Sequence, residues 1–392
     1  MIKGEAFVSG AAELGINFCT SVPCSLLTPL VNSILGGDQI RHVGATSEGE
    51  AIALASGAFL AGAKPLVLMQ NSGLGNAVNP LLTLNAVFKL PVLLVISWRG
   101  HPNGHDEPQH QLIGQILPDL LSLLGITYDD FPDSQEEIRP KLRCAVSHME
   151  ATGLPYAFIV REGAIAHESL GADLTQRELR PPGEYYETGE EEESIARWHA
   201  IKALRASADA SVPLIATTGK TGRELFAGGD DKRNFYMLGS MGCASAIALG
   251  LALVLKTSCL VLDGDGALLM KLGNLSTVGV WQPDGFVHVV LDNGVHDSTG
   301  GQPTNASAVS FPRLALAAGY RRAASCGRQS EIANLAEHWL RAKGPSLICI
   351  RTRPGSIEPL PRPDIAPDAL ARRFASFLAS ESRTVRTIPE IG

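Results

Sequence analysis

At 392 residues, with 45% hydrophobic and 19% charged positions and a formal net charge of −7, the chain has the balance of a folded soluble protein, which excludes whole-chain disorder. The negative charge, with no basic stripe interleaved with aromatics, disfavours a nucleic-acid surface, and the longest apolar stretch, Ala244 to Leu255, falls short of the roughly 18 residues of a membrane span. Met1-Ile2-Lys3-Gly4-Glu5 opens an amphipathic segment without a cleavage site, and seven cysteines with no C-x-x-C pair suit a reducing, cytoplasmic location and argue against structural zinc.

A chain this long exceeds one ordinary core, so two domains are expected. Apolar runs at Pro65 to Gln70, Pro91 to Ser97 and Tyr156 to Arg161 alternate with helical patterns in the first part. Val212 to Thr217, Cys259 to Leu262, Phe286 to Leu291 and Ser346 to Arg351 do so in the second. The alternation predicts an α/β protein of two doubly wound domains with mostly parallel sheets.

In chain order, Ser25 stands ahead of an apolar helix, where it would serve as an N-cap or a ligand hydroxyl. Arg41-His42-Val43-Gly44-Ala45-Thr46-Ser47-Glu48-Gly49-Glu50-Ala51 then leads into the small-residue run Ala53 to Gly62. Glu48 and Glu50 both suit the first turn of a helix, where the macrodipole favours carboxylates, and Glu50 is the one expected to be exposed. Gly73-Leu74-Gly75 lacks the third glycine of a dinucleotide fingerprint, Val78 standing in its place. Arg99 follows a strand and has Asp106 and Glu107 within reach of an ion pair; His105 and His110 lie in a polar, Gly/Pro-rich loop. Residues 180–189, with the glutamates 190–193, read as an exposed linker ending in a solvated helix start.

In the second half, Thr218-Gly219-Lys220-Thr221 contains the end of a phosphate-binding loop, but Leu214 occupies the position where the nucleotide motif requires glycine. A P-loop is rejected, and Thr218 and Gly219 remain candidate diphosphate contacts. Leu238-Gly239-Ser240-Met241-Gly242 opens a helix through Ala244 to Leu255. Gly264-Asp265-Gly266 ends one apolar strand, and after 26 residues Asn293 ends the next. Two adjacent parallel strands would bring Asp265 and the Asn293 side-chain oxygen to one sheet edge, within reach of a single hard cation such as Mg²⁺. The flanking glycines admit backbone N–H groups close to an anion. The tail from Thr384 has no periodicity and is expected to fray.

The Gly-Asp-Gly and Asn pair resembles the metal-diphosphate signature of thiamine diphosphate enzymes. That resemblance implies cofactor contacts at Gly264, Asp265, Gly266 and Ala267, and Mg²⁺ held by Asp265, Asn293 and the Val295 carbonyl. Glu48 matches the activating glutamate of the family's pyrimidine-binding domain, whose acid hydrogen-bonds the aminopyrimidine N1′ and promotes loss of the thiazolium C2 proton. Gly239-Ser240-Met241 matches the turn that presents a carbonyl (Gly239) to the 4′-amino group and a wedge (Met241) under the bent cofactor. The implied boundaries are a pyrimidine-binding domain 1–178, a charged linker 179–196, a diphosphate-binding domain 197–363 and a C-terminal extension 364–392. The resemblance also implies at least a homodimer, with Glu48 of one subunit serving the diphosphate site of another.

Substrate class rests on Ser21-Val22-Pro23-Cys24-Ser25-Leu26-Leu27, Ser97-Trp98-Arg99-Gly100, Asp106-Glu107-Pro108-Gln109-His110 and Asp297-Ser298-Thr299-Gly300-Gly301-Gln302-Pro303-Thr304. Together these are similar to the phosphonopyruvate decarboxylases and their relatives the sulfopyruvate decarboxylases, over almost the whole chain up to about Pro363. The resemblance implies decarboxylation of the small 2-oxoacid 3-phosphonopyruvate to phosphonoacetaldehyde and CO2, within phosphonate natural-product biosynthesis. A sulfopyruvate or other 2-oxoacid decarboxylase is the alternative, and a non-catalytic cofactor-binding subunit a remote one. Gripping a phosphonate calls for arginine, hydroxyls or helix N-terminal amides, for which Ser25, Arg99, His105 and Gln302 are the candidates. His110 and His296 compete for the role of proton donor. Cys24 departs from the family, where Asp is common in the corresponding Val-Pro-x-Ser-Leu.

Overall fold

The computed structural model describes residues 1–170, 181–187 and 194–386 and divides into two compact units, Met1–Glu178 and Leu179–Gly392. The first is built on β1 (Ile16–Ser21), β2 (Arg41–Gly44), β3 (Lys64–Gln70), β4 (Leu93–Ser97), β5 (Thr127–Asp130) and β6 (Tyr156–Val160). All pair in parallel, in the order β2-β1-β3-β4-β6-β5. The central strands read as unbroken apolar runs because helices cover both faces. Leu66, Leu68, Leu93 and Val95 face a core with Phe7, Phe131 and Phe158, where the Phe7 and Phe131 ring centroids are 4.6 Å apart. Val67, Met69, Leu94 and Ile96 face the opposite core, with Ala51, Ile52 and Leu117. From β1 the chain runs to β2 on one side and returns to β3 on the other. That reversal opens a crevice at the carboxyl ends of β1 and β3.

The second unit contains β7 (Glu184–Glu187), β8 (Ile195–Ala196), β9 (Leu214–Ala216), β10 (Asn234–Tyr236), β11 (Cys259–Gly264), β12 (Phe286–Asp292), β13 (Val295–His296), β14 (Gln302–Pro303), β15 (Arg322–Cys326) and β16 (Ser346–Arg353). Its main sheet runs β10-β9-β11-β12-β16-β15-β7, with β8 added to β16. The same logic places its crevice between β9 and β11, at Thr217 to Gly219 and Gly264 to Gly266. β13 and β14 form a small antiparallel hairpin just beyond the end of β12.

Two expectations for the connecting and terminal segments change. Residues 184–187, read as linker, form an edge strand parallel to β15, and Ile195–Ala196 pairs with β16. The tyrosines explain the first: Tyr186 lies edge-on to buried Trp339, centroids 5.5 Å apart, and aromatic residues favour a half-buried strand. The glutamates 190–193 lie outside the described residues. At the other end, Pro367–Arg386 is helical, reaching past Thr384 where no periodicity was expected, and residues 387–392 lie outside the described residues. Phe374 and Phe377 of this helix are buried, and Phe374 lies against Phe235 at 5.4 Å between centroids.

No helix among the described residues is long and apolar enough to cross a membrane. All seven cysteines are free, and only Cys144, on the helix Gln135–Thr152, is exposed.

Candidate active site

In the second unit the predicted diphosphate and metal residues converge. β11 and β12 pair with Gly264 opposite Leu291, so Asp265, Asp292 and Asn293 leave the same end of adjacent strands. Asp265 opens the short helix Asp265–Met270 and is buried, its Oδ2 accepting a 2.5 Å hydrogen bond from the Thr304 hydroxyl. Burial first, and the Asp265 charge second, push the Asp292 carboxyl above its ordinary range, so this corner concentrates negative potential that a cation would relieve. Among the described residues no group of three or more His, Cys, Asp or Glu side chains gathers to hold a metal. A cation here would need mixed oxygen ligands, the set that Asp265, the Asn293 amide oxygen and the Val295 carbonyl supply, and the set that suits Mg²⁺.

The glycines have steric reasons. A methyl group on Gly266 would lie 2.7 Å from His296 Cε1 and 3.2 Å from Thr304 Cγ2. His296, half-buried on β13, therefore sits directly over the Gly-Asp-Gly turn. Gly219, in the left-handed region at φ 91°, would place a methyl 2.8 Å from Ser298 Oγ, which brings the loop after β9 against the loop after β13. Gln302 faces His296 across the hairpin and is exposed, accepting at Oε1 from the Thr299 hydroxyl at 2.8 Å.

The Leu238 to Gly242 turn joins the same crevice. Thr218 Oγ1 donates to the Leu238 carbonyl at 2.8 Å, and Asn274 Nδ2 donates to the Gly242 carbonyl at 3.0 Å. Ser240 is buried in the left-handed region at φ 53°, a conformation that a non-glycine residue holds only where its surroundings impose it. The following helix spans Ala244–Leu255 as expected, and Met241 is half-buried at its mouth.

Sequence reasoning did not find the side chains behind this corner. Asn293 Nδ2 donates to Asp297 Oδ2 at 2.9 Å, and Asn293 Oδ1 accepts from the Val295 N–H at 3.1 Å. Asp297 also accepts from Arg197 Nη1 at 3.0 Å and from the Gly355 N–H at 3.1 Å, with Lys220 Nζ 3.8 Å away. Arg197 is in turn held by Glu224 at 2.8 Å, both being buried. Beneath the turn, His288 lies fully buried between Asp263 Oδ2 at 3.4 Å and the Tyr320 hydroxyl at 3.2 Å, while Asp263 Oδ1 accepts from the Gly264 N–H at 3.0 Å. The Arg197, Glu224, Gly355 and Tyr320 partners are far apart in sequence, so no local pattern marks them.

In the first unit, Glu48 opens the helix Glu48–Leu60 behind the N-cap Ser47. It is 8% exposed, and its Oε2 accepts from Asn76 Nδ2 at 2.9 Å. A methyl on Gly73 would fall 2.0 Å from Glu48 Oε1, so the glycine rejected as a dinucleotide signal is the space that Glu48 fills. Glu50, expected to be exposed, is fully buried instead. Its Oε2 closes back on Thr46, accepting from the backbone N–H at 2.6 Å and the hydroxyl at 2.5 Å.

The substrate candidates divide. Arg99 donates to Asp106 through Nε at 2.7 Å and Nη2 at 2.5 Å, and its Nη1 reaches Ser25 Oγ at 3.2 Å. Cys24, not Ser25, is the N-cap residue of the 3₁₀ turn Ser25–Leu27, and the Ser25 hydroxyl faces the guanidinium. The Arg99 hydrogen bonds hold the Asp106 carboxyl far below the usual carboxylate range. Gly100, at φ 70°, packs so tightly that a methyl there would overlap the His110 carbonyl, which ties this loop to the helix Pro108–Leu123. His110 is buried, and its Nδ1 has no hydrogen-bond partner among the described residues. His105 is exposed in the intervening loop. Cys24 Sγ lies 3.0 Å from Ser97 Oγ and 3.4 Å from Gln70 Oε1, at the carboxyl ends of β3 and β4.

Two parallel-sheet units with these residues at their crevices define a thiamine pyrophosphate enzyme. Residues 1–121 match the family model described as the N-terminal TPP binding domain of such enzymes, and residues 226–350 the C-terminal TPP binding domain. The chain belongs to the phosphonopyruvate decarboxylase family: it is 39% identical over 383 residues to phosphonopyruvate decarboxylase of Streptomyces viridochromogenes, covering 97% of this chain and 96% of the relative. A sulfopyruvate decarboxylase of Methanosarcina acetivorans is 28% identical over 95% of this chain and 97% of its own length. The fold also matches the thiamine diphosphate-dependent 4-hydroxybenzoylformate decarboxylase of Rhodococcus jostii RHA1, with TM-score 0.70, 13% identity, and coverage of 91% of this chain and 100% of that one.

Proposed function

We propose that the chain, with thiamine diphosphate and Mg²⁺, decarboxylates 3-phosphonopyruvate to phosphonoacetaldehyde and CO2 as a step in phosphonate natural-product biosynthesis. The observation that carries the substrate assignment is the Ser25, Arg99 and Asp106 arrangement, in a chain 39% identical over nearly its full length to a phosphonopyruvate decarboxylase. Asp106 fixes the guanidinium plane, leaving Nη1 and the Ser25 hydroxyl to bind an anionic group together.

The cofactor, when bound, supplies an electron sink that accepts the bonding pair of the departing carboxylate. Glu48, buried against Gly73 and fixed by Asn76, holds a proton toward the aminopyrimidine N1′. Thr218, Gly219, Gly264, Gly266 and Ala267 would line the diphosphate, and Asp265, Asn293 and the Val295 carbonyl would hold the Mg²⁺ that offsets its charge. Gly239, through its carbonyl, and Met241, beneath the rings, would position the cofactor's two rings. After CO2 leaves, the former keto carbon needs one proton to become the aldehyde. His110 is the favoured donor because its buried Nδ1 has no partner among the described residues, and His296 is the second candidate. His105 and Gln302, both exposed, serve the rim of the substrate site. The functional unit is a homodimer in which Glu48 of one subunit serves the diphosphate site of the other.

The sulfopyruvate reading persists because a single-chain sulfopyruvate decarboxylase also spans almost this whole chain, and because Cys24 stands where aspartate is common in phosphonate enzymes. Aldehyde formation from phosphonopyruvate, sulfopyruvate and pyruvate, compared side by side, decides between them. Turnover of phosphonopyruvate at the highest kcat/KM is expected. A preference for either competitor would overturn the assignment.

A further inference from the structure

An asparagine ligand presents an orientation problem that an aspartate ligand does not. Its amide has an oxygen end that binds a cation and a nitrogen end that repels one, and the two ends are nearly the same shape. The hydrogen bonds around Asn293 remove the ambiguity. The Val295 N–H can only donate, and it meets Oδ1 at 3.1 Å; the Asp297 carboxylate is acceptor-only when ionised, and it meets Nδ2 at 2.9 Å.

Asp297 is itself fixed from three sides. Arg197 Nη1 donates to it at 3.0 Å and the Gly355 N–H at 3.1 Å, with Lys220 Nζ at 3.8 Å. Arg197 is locked by Glu224 Oε2 at 2.8 Å and by donation from Nη2 to the Gly355 carbonyl at 2.9 Å. Lys220 opens the helix that follows Gly219. One carboxylate therefore joins the loop after β12, the helix after β9 and the segment after β16. Side chains that orient a metal ligand typically change affinity by about 10- to 100-fold when removed.

We propose that Asp297 is the positioning residue of the cation site, holding the Asn293 amide with its oxygen toward the metal, and that Arg197 is the counterion that keeps Asp297 in place. This rests on the reading of Asn293 as a Mg²⁺ ligand. The motif that opens at Asp297 carries the family resemblance for substrate class; the hydrogen bonds place Asp297 itself against Asn293.

The test is a Mg²⁺ titration of the metal-free full-length protein with thiamine diphosphate present, followed by tryptophan fluorescence or calorimetry, on wild type, Asn293→Ala, Asp297→Ala and Asp297→Asn. Asp297→Ala is expected to raise the Mg²⁺ dissociation constant about tenfold or more, with kcat returning to near the wild-type value at saturating Mg²⁺. Asp297→Asn, which keeps the shape and one acceptor oxygen, is expected to fall between Asp297→Ala and wild type, and it carries the test if the alanine variant does not fold. A dissociation constant within about twofold of wild type in the Asp297 variant that folds, with Asn293→Ala weakened, overturns the proposal and leaves the ligand assignment standing. A kcat loss that saturating Mg²⁺ does not repair also overturns it. If Asn293→Ala binds Mg²⁺ as wild type does, the ligand assignment itself is wrong.

Discussion

The contact between Glu48 and Gly73 shows what one missing Cβ does. Gly73 has an ordinary backbone, φ −74°, so its value is space alone. Gly73→Ala should push the Glu48 carboxyl away and reproduce much of the Glu48→Gln defect. For Glu48→Gln, exchange of the thiazolium C2 hydrogen of bound cofactor should slow by about 10²- to 10⁴-fold, because an amide cannot hand N1′ the required proton. Quenched NMR after mixing into D₂O measures this, and wild-type exchange in either variant would remove Glu48 from the role. Asp265 and Asn293 were legible in sequence because each ends an apolar strand at a glycine turn, and strand pairing does the rest. Arg197 and its links to Glu224, Asp297 and Gly355 were not, since those bonds span 27 to 158 residues. Glu50 was misjudged for a local reason: Thr46 offers it two donors, so burial leaves Oε2 satisfied.

At the scale of elements, the loop from Arg99 to Asp106 is held by a two-pronged ion pair whose side chains are 20% and 15% exposed. Asp106 has a native-state pKa far below its unfolded value, so its stabilising contribution is complete above the ordinary carboxylate range and fades as pH falls toward the depressed value. Asp106→Asn should therefore be less stable than wild type by about 1–2 kcal/mol at neutral pH, and the gap should narrow below about pH 4. Denaturant unfolding at both pH values checks the sign. A gap that widened in acid would contradict the pairing. Most buried central strands were readable because helices on both faces demand uninterrupted apolar runs; β1 escaped, since Asn17, Thr20 and Ser21 break its run. The short strands β2, β5, β10 and β15 escaped because they carry mixed or polar residues, and only their neighbours in the sheet make them strands.

At the scale of the molecule, the proposed homodimer makes a quantitative prediction. Glu48→Gln damages the pyrimidine end and Asp265→Ala the diphosphate end, so each homodimer should be inactive, and Asp265→Ala should have lost cofactor binding. In a mixed dimer one site carries both defects and the other neither. With random reassembly about half the dimers are mixed, and about a quarter of wild-type activity should return. A mixture that stays inactive after confirmed subunit exchange would require each site to lie within one chain. The division into two units was legible in sequence from strand and helix alternating in both halves. The edge strand β7 of the second unit was not, because a Pro-Pro-Gly start and a glutamate run mask it, and only Trp339, far along the chain, shows what Tyr186 packs against.

The lone accessible thiol gives the native protein a built-in address. Six cysteines are buried, and burial raises the thiol pKa of Cys19, Cys259 and Cys349, the last to about 12, so none of these three supplies reactive thiolate at neutral pH. A thiol reagent should modify one site per chain quickly, at Cys144, and the others only on unfolding. A spin label there would mark each chain once without any engineered cysteine, and in the proposed homodimer two labels per particle would give a single distance, a ruler for assembly.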